Sequence, residues 1–165
     1  MYIQFGANMK TESVLTIVSA GGHLTQALCM MSKIDNFHLV TSVDLKLNVG
    51  AQGYTVIPDT QFNALIHAGN LVRAIKLIHK LKPKSLFSTG GPICIPFALA
   101  AKIFNKRFIY LDTLSRVQDL SNTARFLYKY KLATEIFVQW QNVANKYPGL
   151  QCVGKTFDIC GENRQ

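Results

Sequence analysis

A chain of 165 residues, 48% of them hydrophobic, is long enough to bury about 70% of the surface its unfolded form exposes, which removes any need for disulfide or metal staples. Its formal charge of +9 favours an anionic partner: a phosphorylated substrate, an anionic membrane surface or nucleic acid. No apolar stretch reaches the ~18 uncharged residues of a membrane-spanning helix, since the longest, 90–104, contains Pro92, Pro96 and Lys102.

Short apolar runs alternate with longer helix-compatible segments, the pattern of βαβ units on a parallel sheet. The run 14–19 reads as the first strand and feeds a helix through Ser19-Ala20-Gly21-Gly22-His23-Leu24. Strands follow at 37–41 and 54–57. Residues 63–81 place Leu65, Ile66, Leu71, Val72, Ile75, Leu77, Ile78 and Leu81 at helical spacing, and Lys82-Pro83 ends that helix. A strand at 85–88 opens into Ser88-Thr89-Gly90-Gly91-Pro92 and a buried helix at 93–104. The strand at 107–111 runs into the polar insertion Asp112-Thr113-Leu114-Ser115-Arg116-Val117. A helix at 120–131 is capped by Ser121 or Asn122, and a strand at 135–138 leads to a short helix at 140–147, stopped by Pro148-Gly149. A last strand is expected at 151–153, and the polar tail from Thr156 is expected to be loose. The expected fold is a single Rossmann-like α/β domain over 1–165, a mostly parallel doubly wound sheet with its ordered core at about 14–154.

The cysteines at 29, 94, 152 and 160 match none of the short zinc-ligand spacings, and no signal-peptide pattern occupies residues 1–13. They read as reduced thiols of a cytosolic protein with no metal site.

Doubly wound sheets bind ligands beyond the carboxyl ends of their strands, and three strand-terminal loops carry suitable chemistry. The turn at Gly21 and Gly22 exposes N–H groups at a helix N-terminus and presents His23 as a candidate base. It lacks the Gly-x-Gly-x-x-Gly dinucleotide spacing. A second small-residue turn, Thr89, Gly90 and Gly91, offers a facing anion site, as a diphosphate requires, although glycines also merely relieve crowding at tight βα turns. In the third loop Arg116 is a clamp for phosphate or carboxylate, and Asp112 a partner for a sugar hydroxyl or for His23. The plain alternative is an Asp112–Arg116 surface salt bridge. His38, His67 and His79 lack polar company in the sequence and are expected to be structural.

Gly21-Gly22-His23-Leu24, Thr89-Gly90-Gly91-Pro92, the segment from Asp112 to Val117 with Leu120-Ser121, Phe137-Val138-Gln139-Trp140 and Lys146-Tyr147-Pro148 together resemble the acceptor-side subunits of two-part glycosyltransferases. That family includes the eukaryotic membrane-anchor subunit of the dolichol-diphosphate N-acetylglucosaminyltransferase and bacterial PssD- and EpsE-like proteins. The resemblance implies the N-terminal half of a GT-B glycosyltransferase, similar to the first domain of MurG. It implies a polyprenyl-diphosphate-linked sugar as acceptor and a UDP-sugar held mainly by a separate donor-binding subunit, with no cofactor in this chain. Gly21, Gly22, Thr89, Gly90, Gly91, Asp112, Ser115 and Arg116 would surround the acceptor diphosphate, with His23 as general base. The chain is expected at the cytoplasmic face of the membrane as a peripheral protein, with 63–84 as a basic interfacial helix or an ordinary amphipathic one. A non-catalytic scaffold for the partner transferase is the alternative. Nucleic acid is not an expected partner, because the aromatics form no stacking platform.

Overall fold

A computed structural model describes residues 13–45, 50–60 and 63–156. Seven strands form one all-parallel sheet in the order β3-β2-β1-β4-β5-β6-β7. They are β1 (Val14–Val18), β2 (Phe37–Thr41), β3 (Gly53–Val56), β4 (Ser85–Gly90), β5 (Arg107–Leu111), β6 (Glu135–Val138) and β7 (Gln151–Cys152). The central strands β1 and β4 are buried along their whole length, which is why they read in sequence as continuous apolar or small-residue runs rather than alternating ones.

Among the described residues five α-helices clad the sheet: α1 (Gly22–Met31), α2 (Ala64–Leu81), α3 (Ile95–Ile103), α4 (Asn122–Lys129) and α5 (Gln141–Ala144). Right-handed crossovers send the chain one way from β1 and the other way from β4, so the helices divide between the faces. Ala27 and Met31 of α1 pack with Val18, Leu39, Phe87 and Ile109 on one face. Residues of α2, α3, α4 and α5, among them Ala74, Phe97, Leu127 and Val143, join Leu15, Ile17, Leu86 and Tyr110 on the other.

Local chemistry sets the helix ends. The Asn63 side chain accepts from the N–H of Leu65 and Ile66, and Lys82 closes α2 in the left-handed region at φ 47° before Pro83. Ser121 caps α4 by accepting from Ala124. Where a helix was expected from residue 93, the chain first makes a 3-10 turn (Pro92–Cys94), and α3 starts at Ile95 with Pro96 in its first turn.

Several expectations are corrected. Leu65 and Val72 of α2 face solvent, and the polar Asn70 is buried, donating to the Pro58 carbonyl. His38 is not without polar company, because its Nε2 lies 2.8 Å from Thr55 Oγ1. Cys94 and Cys152 are free thiols, but Cys29, on a half-buried turn of α1, is disulfide-bonded. Thr156 is buried and hydrogen-bonded rather than loose, while the polar segments 1–12 and 157–165, with Cys160, lie outside the described residues.

Candidate functional site

The direction of strand order reverses between β1 and β4, and the crevice beyond their carboxyl ends is the usual ligand position of an open α/β sheet. From β1 the chain leaves through Ser19 and Ala20 to Gly21, the N-cap of α1, at φ 79°. The N–H groups of Leu24 and Thr25 return to the Gly21 carbonyl at 3.0 and 3.3 Å. Those of Gly22 and His23 have no intrahelical acceptor, and no acidic residue sits in the first turn, so the positive end of α1 is uncompensated there. A Cβ at Gly21 or Gly22 would meet nothing within 4 Å, which leaves this turn open to a ligand.

The second glycine turn is packed against the first. Gly90 and Gly91 have φ of 142° and 85°, and a Cβ would lie 2.4 Å from the His23 ring at Gly90 and 1.8 Å from Ser19 Oγ at Gly91. Close approach, beyond backbone conformation, therefore demands glycine at both positions. Ser19 Oγ is itself buried without a hydrogen-bond partner.

Two reciprocal bonds join the turns. His23 Nδ1 lies 3.0 Å from the Thr89 carbonyl oxygen, and Thr89 Oγ1 donates to the His23 carbonyl at 2.7 Å. A carbonyl only accepts, so Nδ1 is the donor in the first bond, and in the neutral imidazole the lone pair then falls on Nε2. That is the state a general base requires.

Asp112 follows β5 and is buried. Its Oδ1 accepts from the N–H of Thr113 and its Oδ2 from the N–H of Ser121, both at 2.9 Å. Burial pushes this carboxyl above its ordinary pKa, while the bonds from Ser121 and Thr113 and the charge of Arg116 pull it down. Both oxygens thus close the 112–121 loop, and the group that orients His23 is Thr89. Ser115 and Arg116 are exposed on that loop, with Ser115 Oγ 3.2 Å from Thr113 Oγ1. Among the described residues Asp112 and Arg116 form no ion pair; the carboxylate is buried and the guanidinium is presented outward.

Of the residues that hold this loop, Gln139, Trp140 and Lys146 lie in segments that carry the resemblance and Asn142, Thr156 and Gln26 do not; the role of none of them was legible in the sequence. Gln139 is buried at the end of β6; its Nε2 donates to the Asp112 carbonyl and its Oε1 accepts from the Thr156 N–H and hydroxyl. Gln26 of α1 donates in turn to Thr156 Oγ1 at 3.0 Å. Trp140 Nε1 donates to the Leu114 carbonyl, Asn142 to that of Val117 and Lys146 to that of Gln118. The loop carrying Arg116 is therefore pinned from β6 and α5 along its length.

The family model described as "Oligosaccharide biosynthesis protein Alg14 like" matches residues 46–156, well over half of the chain. The chain belongs to that family. The matched span of this Alg14-like chain holds the second glycine turn, the Arg116 loop and the Gln139 network, and begins after the His23 turn.

Among curated relatives, the "UDP-N-acetylglucosamine transferase subunit ALG14" of Yarrowia lipolytica is 33% identical over 81 residues, 46% of this chain and 37% of the relative. The "UDP-N-acetylglucosamine--N-acetylmuramyl-(pentapeptide) pyrophosphoryl-undecaprenol N-acetylglucosamine transferase" of Streptococcus pyogenes is 29% identical over 89 residues, 53% of this chain and 23% of the relative. The matches thus span less than half the length of either relative. Of solved structures, MurG of Acinetobacter baumannii aligns with a TM-score of 0.63 at 14% identity, over 87% of this chain and 45% of that one. The UDP-N-acetylglucosamine 2-epimerase of Rickettsia bellii aligns at 0.67 with 14% identity, over 92% and 47%. The fold is the Rossmann-like unit that makes up somewhat less than half of each of these longer GT-B-type chains.

Proposed function

We propose that this Alg14-like chain is the acceptor-binding subunit of a two-subunit glycosyltransferase, which passes a sugar from a UDP-sugar to a polyprenyl-diphosphate-linked acceptor. The observation that carries the reading is the pair of glycine turns locked through His23 and Thr89 at the β1/β4 switch point. Family membership and the transferase activity named for its relatives support the reaction class.

In this reading the N–H groups of Gly22 and His23, the second glycine turn and Arg116, with Ser115 beside it, hold the acceptor diphosphate. His23 Nε2 takes the proton of the acceptor hydroxyl while that oxygen bonds to the anomeric carbon and the bond to the nucleotide diphosphate breaks. The donor is held chiefly by the partner subunit, and this chain needs no cofactor. Asp112 contributes by holding the loop that carries Arg116.

Membrane contact is the second part of the proposal. No helix of the described residues is long and apolar enough to cross a membrane. Exposed Leu65, Val72 and Ile103 beside Arg73, Lys76 and Lys102 support peripheral attachment to an anionic surface, which we place on the cytoplasmic side.

The decisive measurement is sugar transfer by the reconstituted pair. His23→Ala is expected to lose about 10²- to 10⁴-fold in kcat, the usual contribution of a general base. A scaffold would lose little, and activity of the purified chain without a second subunit would overturn the two-subunit reading.

A further inference from the structure

The first turns of α2, α3 and α4 all begin at the edge of the sheet that carries the glycine turns. Between them lies an open groove of about 590 Å³ whose walls include Ala68 and Leu71 of α2, Pro92, Ile95 and Leu99, and Phe126 of α4. Among the described residues, polar side chains enter its lining only at His67, Asn122 and Thr123. Leu99 and Phe126 remain 37% and 39% exposed at this groove, and Leu65 on the neighbouring turn of α2 is 83% exposed. Apolar surface of this kind, concave and contiguous, marks a binding site.

The geometry points to this groove as the seat of the isoprenoid chain that adjoins the acceptor diphosphate. The inference rests on the diphosphate reading of the glycine turns. Its occupant follows from continuity, because Pro92 lines the groove and is bonded directly to Gly91. A diphosphate held at Gly90 and Gly91 therefore delivers whatever it esterifies to the groove mouth. A branched aliphatic chain suits walls of aliphatic side chains, prolines and one phenyl ring, which offer many apolar contacts and few hydrogen-bonding groups. Its burial supplies affinity that a diphosphate on an exposed turn lacks.

The test uses the full chain in solution without membrane or detergent, with farnesyl diphosphate and inorganic pyrophosphate compared by calorimetry. Farnesyl diphosphate is expected to bind about 100-fold or more tighter, from the apolar area it buries. Ala68→Trp, which fills the groove from an exposed helix position, and Leu99→Gln, which makes its wall polar, are each expected to bring farnesyl diphosphate down towards pyrophosphate without changing pyrophosphate binding. Equal binding of the two ligands by the unmodified chain would overturn the groove and leave the diphosphate site standing. A farnesyl preference that survives both substitutions would also overturn it, including the case where the variants lose only attachment to anionic vesicles. If neither ligand binds, the diphosphate reading fails and the groove inference fails with it.

Discussion

At Gly90 the absent side chain is what admits the imidazole of His23. Alanine there would put a methyl group 2.4 Å from the ring and strain a backbone at φ 142°. Gly90→Ala is expected to lower stability by about 1–3 kcal/mol, read as an earlier urea midpoint, and to break the His23–Thr89 bond, so that transfer by the reconstituted pair falls about as far as with His23→Ala. Cys94 offers a second check. It is fully buried, and loss of solvation pushes its thiol up to about 12. At pH 8 it is expected to resist alkylation in the folded protein and to react only as fast as the chain opens, while the half-buried Cys152 reacts directly; mass spectrometry of the labelled peptides distinguishes them.

Among elements, the short α5 and the end of β6 do work out of proportion to their size. Trp140→Phe keeps an aromatic ring, smaller than the indole, and removes the donor to Leu114; it is expected to cost about 1–2 kcal/mol in chemical denaturation. It should also raise KM for the acceptor more than it lowers kcat, since Arg116 would be held less firmly. Gln139→Leu leaves the Asp112 carbonyl, the Thr156 N–H and the Thr156 hydroxyl short of partners, with an expected loss of about 2–3 kcal/mol by the same measurement. The strands were legible to within two residues, the inner ones because a parallel strand buried on both faces leaves an uninterrupted apolar signature. The amphipathic α2 was legible too, but not the outward direction of Leu65 and Val72, because a period of 3.6 identifies a face without saying how much of it the sheet will cover. The glycine turns, His23 and Arg116 could be picked out as residues. Their joining could not, since the partners of His23, Gln26 and Gln139 lie 66, 130 and up to 27 residues away and no local pattern encodes them.

For the molecule as a whole, the charge of +9 makes surface attachment a question of ionic strength. Binding to vesicles of anionic lipid is expected to weaken sharply between about 0.1 M and 1 M salt, as the screening length falls from about 10 Å to about 3 Å, and to be weak on neutral vesicles. Co-sedimentation across that range checks it, and salt-independent binding would assign attachment to apolar contact alone. The His23–Thr89 lock has one more consequence at this scale. It closes a span of 66 residues at the same place where β1 pairs with β4, so the ring reaches its carbonyl only once that long-range pairing exists. Site and sheet then form in a single cooperative event. A histidine proton signal followed through a urea titration should vanish at the same midpoint as the backbone ellipticity.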